Sequence, residues 1–108
     1  MRKVVFEADT LDRIRAVPEA ARQRAGYEID RVQRDREPEN WRPIPAIGQG
    51  VREIRIQMGR QFRVIYIAKF AGYVHVLHIF EKKSQKTRPS DIAQAKSRSQ
   101  QVVKRYLQ

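Results

Sequence analysis

The chain has no cysteine among its 108 residues, so it holds neither a disulfide nor a thiolate metal site. That agrees with a reducing cytoplasm without requiring one. No apolar stretch approaches the roughly 20 residues a membrane-spanning helix needs. The apolar run in the opening MRKVVFEADTL is too short for a signal peptide, and acids follow it. A glycine-rich phosphate loop, a carboxylate dyad and a nucleophile–base constellation are also missing, as are internal repeats and low-complexity segments. The length suits one domain, 1–108, able to bury a core without staples. The expectation is a cytoplasmic protein with no membrane association, no cofactor and no metal.

Basic charge is abundant. The net charge is +11, and it is unevenly spread. Residues 1–50 hold ten Lys/Arg against nine Asp/Glu, whereas residues 51–108 hold thirteen against three. Solubility alone does not call for such segregation. A field of one sign favours a polyanionic partner: nucleic acid, an acidic protein or an anionic membrane.

The apolar pattern predicts alternating element types. KVVF (Lys3–Phe6) reads as a strand. A helix follows, opened by Asp9 or Thr10, with Leu11, Ile14 and Val17 as its stripe. From Glu19 to about Arg36 a second helix is expected, with Ala20, Ala21, Ala25, Tyr27, Ile29 and Val32 on its apolar face. REPENWRPIPAIGQG is punctuated by prolines and glycines and reads as a connector, with Trp41, Ile44 and Ile47 capping the core. Val51–Met58 alternates: Ile54, Ile56 and Met58 point one way, and Val51, Glu53, Arg55 and Gln57 the other. Gly59–Gln61 is a plausible hairpin turn, and FRVIYIAKF is apolar on both faces, as in a covered central strand. Ala71–Gly72 turns the chain into YVHVLHIFEK, the third strand of an antiparallel meander. The final helix begins near Ser90, a candidate cap, and is expected to bury Ile92, Ala95, Val102, Tyr106 and Leu107.

Arg63 sits inside a strand whose neighbours on the same face, Ile65 and Ile67, are apolar. Arginine is rarely buried unless paired. It either pairs with Glu53 or Glu81 across the sheet, or offers a fixed guanidinium to an anion such as phosphate. Arg55, on the preceding strand, can share its surface, and Arg60 in the turn adds a third contact. Lys82, Lys83, Lys86 and Arg88 lie where the last strand ends; they are either a solvated loop or the rim of a basic groove. Phosphoryl transfer is the chemistry such a groove suits, because cations stabilise charge developing on phosphate oxygens. His75 and His78, three apart on a strand, should face opposite ways and form no metal pair. His78 reads as a core histidine bonded to backbone.

Together, GVREIRI (Gly50–Ile56), RQFRVIYIA (Arg60–Ala68), VLHIFEKKSQKT (Val76–Thr87) and DIAQAKSR (Asp91–Arg98), following Trp41 and its prolines, are distinctive. The chain resembles the phage-related branch of the RelE/HigB toxin superfamily of type II toxin–antitoxin systems. The likeness runs from about Trp41 to Arg98 and rests on F-x-K-K-[ST]-x-K-T after a strand, with R-x-[IV]-Y one strand earlier.

The resemblance implies an α+β fold: an antiparallel sheet of about four strands, two N-terminal helices and one C-terminal helix. It implies a metal-independent endoribonuclease that cuts mRNA in the ribosomal A site by 2′-hydroxyl attack on the adjacent phosphate. It also implies a cognate antitoxin, commonly a small helix-turn-helix protein. On this footing Arg63, Lys83 and Lys86 are the candidate catalytic residues. Arg55, Arg60, Lys82 and Arg88 are the candidate RNA-binding ones. The Tyr or His that many members carry near the C-terminus has only Tyr106 as a counterpart, so the general base is unassigned among Lys83, Lys86 and His78. The alternative is a phage regulator that binds nucleic acid without cutting it.

Overall fold

A computed structural model describes residues 1–107. The fold is α+β. Strand β1 (Lys3–Phe6) leads into helices α1 (Thr10–Ala16) and α2 (Glu19–Gln33). Strands β2 (Trp41–Pro43), β3 (Val51–Met58), β4 (Arg60–Ile67) and β5 (Tyr73–Glu81) follow, and helix α3 (Pro89–Tyr106) closes the chain. The sheet has five strands in the order β1-β5-β4-β3-β2. β1 runs parallel to β5, and every other pairing is antiparallel. Since β1 and β2 lie at opposite edges, α1 and α2 carry the chain across one face.

Each face has its own core. Phe62, Val64 and Tyr66 of β4 pack with Ile54 and Ile56 of β3 and with Ile14, Ala25 and Ile29 of α1 and α2. Ile65 and Ile67 point the other way and pack with Leu77, Phe80, Ala95 and Val102 beneath α3. The two-sided apolar pattern of β4 is thus that of a covered central strand.

Several expectations need correction. A fifth strand, β2, lies inside the expected connector, where Arg42 pairs with Glu53. The β3–β4 hairpin closes on Gly59 alone, between the partners Met58 and Arg60. Its φ of 75° suits a residue without a Cβ. Helix α3 has no side-chain cap: Arg88 occupies the N-cap position and Ser90 is helical. The buried line of α3 passes through Asp91, Ala95, Ser99 and Val102, whereas Ile92, Tyr106 and Leu107 are exposed. That line holds two polar residues, which is why apolar spacing misplaced it. On α2, Ala20 and Tyr27 are exposed while Glu28 is buried.

One irregularity in β5 has wide effects. Ile65 pairs with His78 but Tyr66 pairs with Val76, so Leu77 is an extra residue in a bulge. A bulge reverses the alternation beyond it. His75 and His78 therefore both face α3, bonding Tyr106 and Asp91 respectively, rather than facing opposite ways. Past Phe6, the outer edge of β5, away from β4, has no neighbouring strand. Arg98 there donates to the Leu77 carbonyl at 2.9 Å and Arg13 to that of Ile79 at 3.0 Å, supplying hydrogen bonds that a longer β1 would have made.

Ile54→Ala should cost about 2–5 kcal/mol of stability, because it opens a cavity in the α2-side core. Ile92→Ala, on the exposed side of α3, should stay within about 0.5 kcal/mol. Denaturant midpoints of the two variants check both.

Candidate functional site

The α3-facing side of β3 and β4 carries an arginine cluster built on one carboxylate. Arg55 and Arg63 are direct cross-strand partners, so their side chains share a face. Two like charges directly opposite repel. Glu53, two residues before Arg55 and on the same face, is completely buried and offsets that repulsion. Its Oε1 lies 3.0 Å from Arg42 Nε, 3.5 Å from Arg55 Nε and 3.6 Å from Arg63 Nε. Three guanidiniums share one carboxylate, leaving a surplus of two positive charges.

The members differ in access. Arg42 and Arg55 keep 47% and 34% of their side-chain surface open; Arg63 is 5% exposed. Arg63 donates to the Phe62 carbonyl at 3.1 Å and to Gln61 Oε1 at 3.2 Å. Burial lowers its pKa, the Glu53 charge raises it, and Arg55 and Arg42 lower it further; the net direction is down. A guanidinium starts so high that it stays charged at neutral pH. The ion pair with Glu53, one of the two sequence-based alternatives, is therefore present, and it belongs to a cluster that remains cationic.

The lysine segment adjoins this cluster. Phe80 is the β5 partner of Arg63, and the backbone N–H of Lys82 donates to the Gln61 carbonyl at 2.8 Å. Lys83 and Lys86 are exposed, and among the described residues neither Lys82, Lys83 nor Lys86 forms an ion pair. The segment crosses to the start of α3 on the Arg63 face. A small cleft of about 110 Å³ opens beside the arginines, walled by Ile44, Ile65 and Phe80 and rimmed by Arg42 and Thr87.

Beyond it a polar chain anchors α3. Arg88 Nε pairs with Asp91 Oδ2 at 3.1 Å, and Asp91 Oδ1 meets His78 Nε2 at 2.7 Å. Arg98 Nη1 lies 3.2 Å from His78 Nδ1, and Arg98 Nη2 reaches Asp9 at 2.9 Å. An arginine only donates, so Nδ1 accepts and Nε2–H donates to Asp91. Burial pushes the His78 pKa below its ordinary 6.5, against the Asp91 hydrogen bond that raises it. His78 is thus a core histidine, but bonded to side chains rather than backbone. With both nitrogens engaged and no exposed surface, it cannot touch a substrate.

Two other expected contributors sit elsewhere. Arg60 shares the α1–α2 face with Phe62 and forms a two-pronged pair with Glu81, at 2.9 and 2.6 Å. The Arg60 hydrogen bond holds the Glu81 carboxyl below the usual carboxylate range. Arg60 thus lies across the sheet from Arg63. Tyr106 stands at the far end of α3, an 18-residue helix rising about 27 Å. Its hydroxyl meets His75 Nε2 at 2.6 Å, and His75 Nδ1 meets Glu7 at 2.8 Å. Among the described residues no group of three or more His, Cys, Asp or Glu could hold a metal ion, and no helix is long and apolar enough to cross a membrane.

Residues 12–100 match the family described as "Phage derived protein Gp49-like (DUF891)". The chain belongs to the Gp49-like family. The matched span of this Gp49-like chain contains Arg42, Glu53, Arg55, Arg63 and the whole Lys82–Arg88 segment, and leaves out Glu7 and Tyr106. A search of curated proteins finds no match. Arg42 and Glu53 are the members of the cluster that sequence reasoning did not assign to the site. Only the pairing of β2 with β3 brings Arg42 to Glu53. The glutamate's signal was a carboxylate on the same strand face as Arg55.

Glu53→Gln removes the shared counter-charge and should cost about 3–5 kcal/mol, as breaking a buried ion pair does; added phosphate should recover part of the loss in thermal melts. His78 gives a pH test. Its depressed pKa means the unfolded chain binds the proton more readily, so its contribution to stability is full above pH 6.5 and is lost as pH falls through the folded-state value. Melting temperature should decline below about pH 6.5, and more gently in His78→Gln.

Proposed function

We propose that this Gp49-like protein is the toxin of a toxin–antitoxin pair and a ribosome-dependent endoribonuclease of RelE/HigB type. The observation that carries this reading is the convergence of Arg42, Arg55 and Arg63 on the single Glu53 carboxylate, beside lysines that form no ion pair among the described residues. Such a surface complements a phosphodiester flanked by further phosphates. The family supports the same conclusion, being associated with toxin–antitoxin systems and related to RelE-type toxins.

In the reaction the 2′-hydroxyl oxygen bonds to the neighbouring phosphorus as the bond to the 5′-oxygen breaks. The products are a 2′,3′-cyclic phosphate and a 5′-hydroxyl end. One proton leaves the 2′-hydroxyl and one reaches the departing oxygen. Arg55 and Arg42 contact the phosphate oxygens from the open side. Arg63, held beneath them, adds fixed positive potential and reaches the phosphate edge-on. Lys83 and Lys86 balance the charge developing in the transition state and are the groups placed to move a proton. Lys82 and Arg88 hold the RNA backbone on either side. Arg60, across the sheet, keeps its pairing with Glu81 and contributes to folding instead. The reaction needs no metal, since cations fill that electrostatic role. The message is presented in the ribosomal A site, and the antitoxin, a small helix-turn-helix protein, silences the chain when bound.

Expression without a partner should arrest bacterial growth and leave new 5′ ends in translated mRNA, read by primer extension. Lys83→Ala and Arg55→Ala, both at accessible positions, should reduce cleavage about tenfold to a hundredfold each with little change in melting temperature. Arg63→Ala should abolish growth arrest, with circular dichroism confirming that the variant is folded. Full cleavage by folded Arg63→Ala would remove that residue from the site. Growth arrest and RNA binding without new ends would instead favour a non-cutting phage regulator.

A further inference from the structure

A second basic recess lies on the opposite face of the sheet. It is a cleft of about 320 Å³ between the end of α2, the head of β1 and the β3–β4 pair. Arg2, Arg36, Arg52 and Lys69 line it, opposed by Asp35 and Glu37, so its walls carry a surplus of two positive charges. Tyr66 lies on the same strand as Arg63 but three residues on, and so points to this side, where it pairs across the strands with Arg52.

Most of these groups are held in place while their charges stay available. Arg2 donates to the Phe70 carbonyl at 3.0 Å and lies 3.6 Å from Asp35. The Arg52 guanidinium rests 4.2 Å from the centre of the Trp41 ring, which fixes its plane. Gly50, at φ 79°, lets the Lys69 stem pass 3.0 Å from where a Cβ would stand. Among the described residues Arg36, Arg52 and Lys69 form no ion pair.

The floor supplies the deciding feature. Tyr66 is 1% exposed; Arg52 is the neighbouring donor to its oxygen, and among the described residues the hydroxyl hydrogen has no acceptor. A buried donor left without an acceptor costs free energy, so a hydroxyl at this position suits a ligand acceptor. Burial raises the Tyr66 pKa, and the hydrogen bond and charge of Arg52 oppose it; the group is neutral at physiological pH and its own hydrogen can donate. A donor at the floor, a stacked guanidinium on the wall and cations at the rim form the complement of a phosphate monoester. The cleft volume is that of a mononucleotide rather than a polymer.

We infer that the cleft over Tyr66 binds a small phosphate monoester of up to mononucleotide size, at a site separate from the Arg42–Arg55–Arg63 cluster across the sheet. The probes are inorganic phosphate, 5′-AMP and adenosine, each titrated into the ¹⁵N-labelled full chain. Phosphate and AMP should shift the amides of Gly50, Arg52, Tyr66 and Lys69, and adenosine should not. Tyr66→Phe, which removes only the hydroxyl, should weaken AMP binding about tenfold with little change in melting temperature. Arg63→Ala should leave this binding intact while impairing RNA cleavage, so the two sites fail independently. Shifts confined to residues 53–63 and 82–88, shifts produced equally by adenosine, or undiminished AMP affinity in Tyr66→Phe would each overturn the site.

Discussion

The carboxylate of Glu53 holds together a surface that would otherwise repel itself. Arg55 and Arg63 stand opposite each other on neighbouring strands, and Arg42 joins them from the edge strand. A buried carboxylate is itself costly unless paired, and a buried guanidinium likewise. Each offsets part of the other's penalty, with Glu53 Oε2 and Arg63 Nε left without a hydrogen-bond partner among the described residues, and the ratio of three to one leaves charge to spare. Because the partners sit on three adjacent strands, the pairing also ties strand register to electrostatics. A slip of one residue in β3 would turn Glu53 and both its neighbouring arginines' relations inside out. The basic face is therefore as rigid as the sheet that carries it, which is the condition for preorganised stabilisation of a charged transition state.

The two faces of the sheet have divided the work. α1 and α2 pack an apolar core over one side and leave the basic recess over Tyr66 at its edge. α3 covers only part of the other, packing over Ile65, Ile67 and Leu77 and leaving the Arg63 end open. Its first turn is tied down by the Arg88–Asp91–His78–Arg98 chain, so the mouth of the groove has a fixed wall. The lysine segment is held at its two ends, by the Lys82 backbone at Gln61 and by Arg88 at Asp91. Between these anchors Lys83 and Lys86 keep long, exposed side chains. Buried and half-buried guanidiniums thus adjoin exposed ammoniums, a combination that fits the proposed RNA substrate.

Parts of this were legible without coordinates. Arg63 stood out because an arginine broke an apolar strand face, and period-two alternation put Glu53 and Arg55 together on theirs. Other parts were hidden. Arg42 sat among prolines that read as a connector, yet it joins a three-residue edge strand. Ile92 and Leu107 read as core, yet Asp91 and Ser99 take the buried line, because polar residues can be buried where partners await them. The phase of β5 failed at Leu77, since a bulge leaves no mark in hydrophobicity.

By itself, then, the sequence determined the order of the elements apart from β2, the two-sided burial of the central strand and the concentration of positive charge in the second half. These follow from local periodicity and composition, which neighbouring residues settle among themselves. Tertiary structure alone decided which charges meet. It sent Arg60 to one side and Arg63 to the other, turned both histidines toward α3, and placed Tyr106 a helix length away from the lysines. Contacts between residues distant in the chain depend on register and on the bulge, and those are settled only when the strands pair.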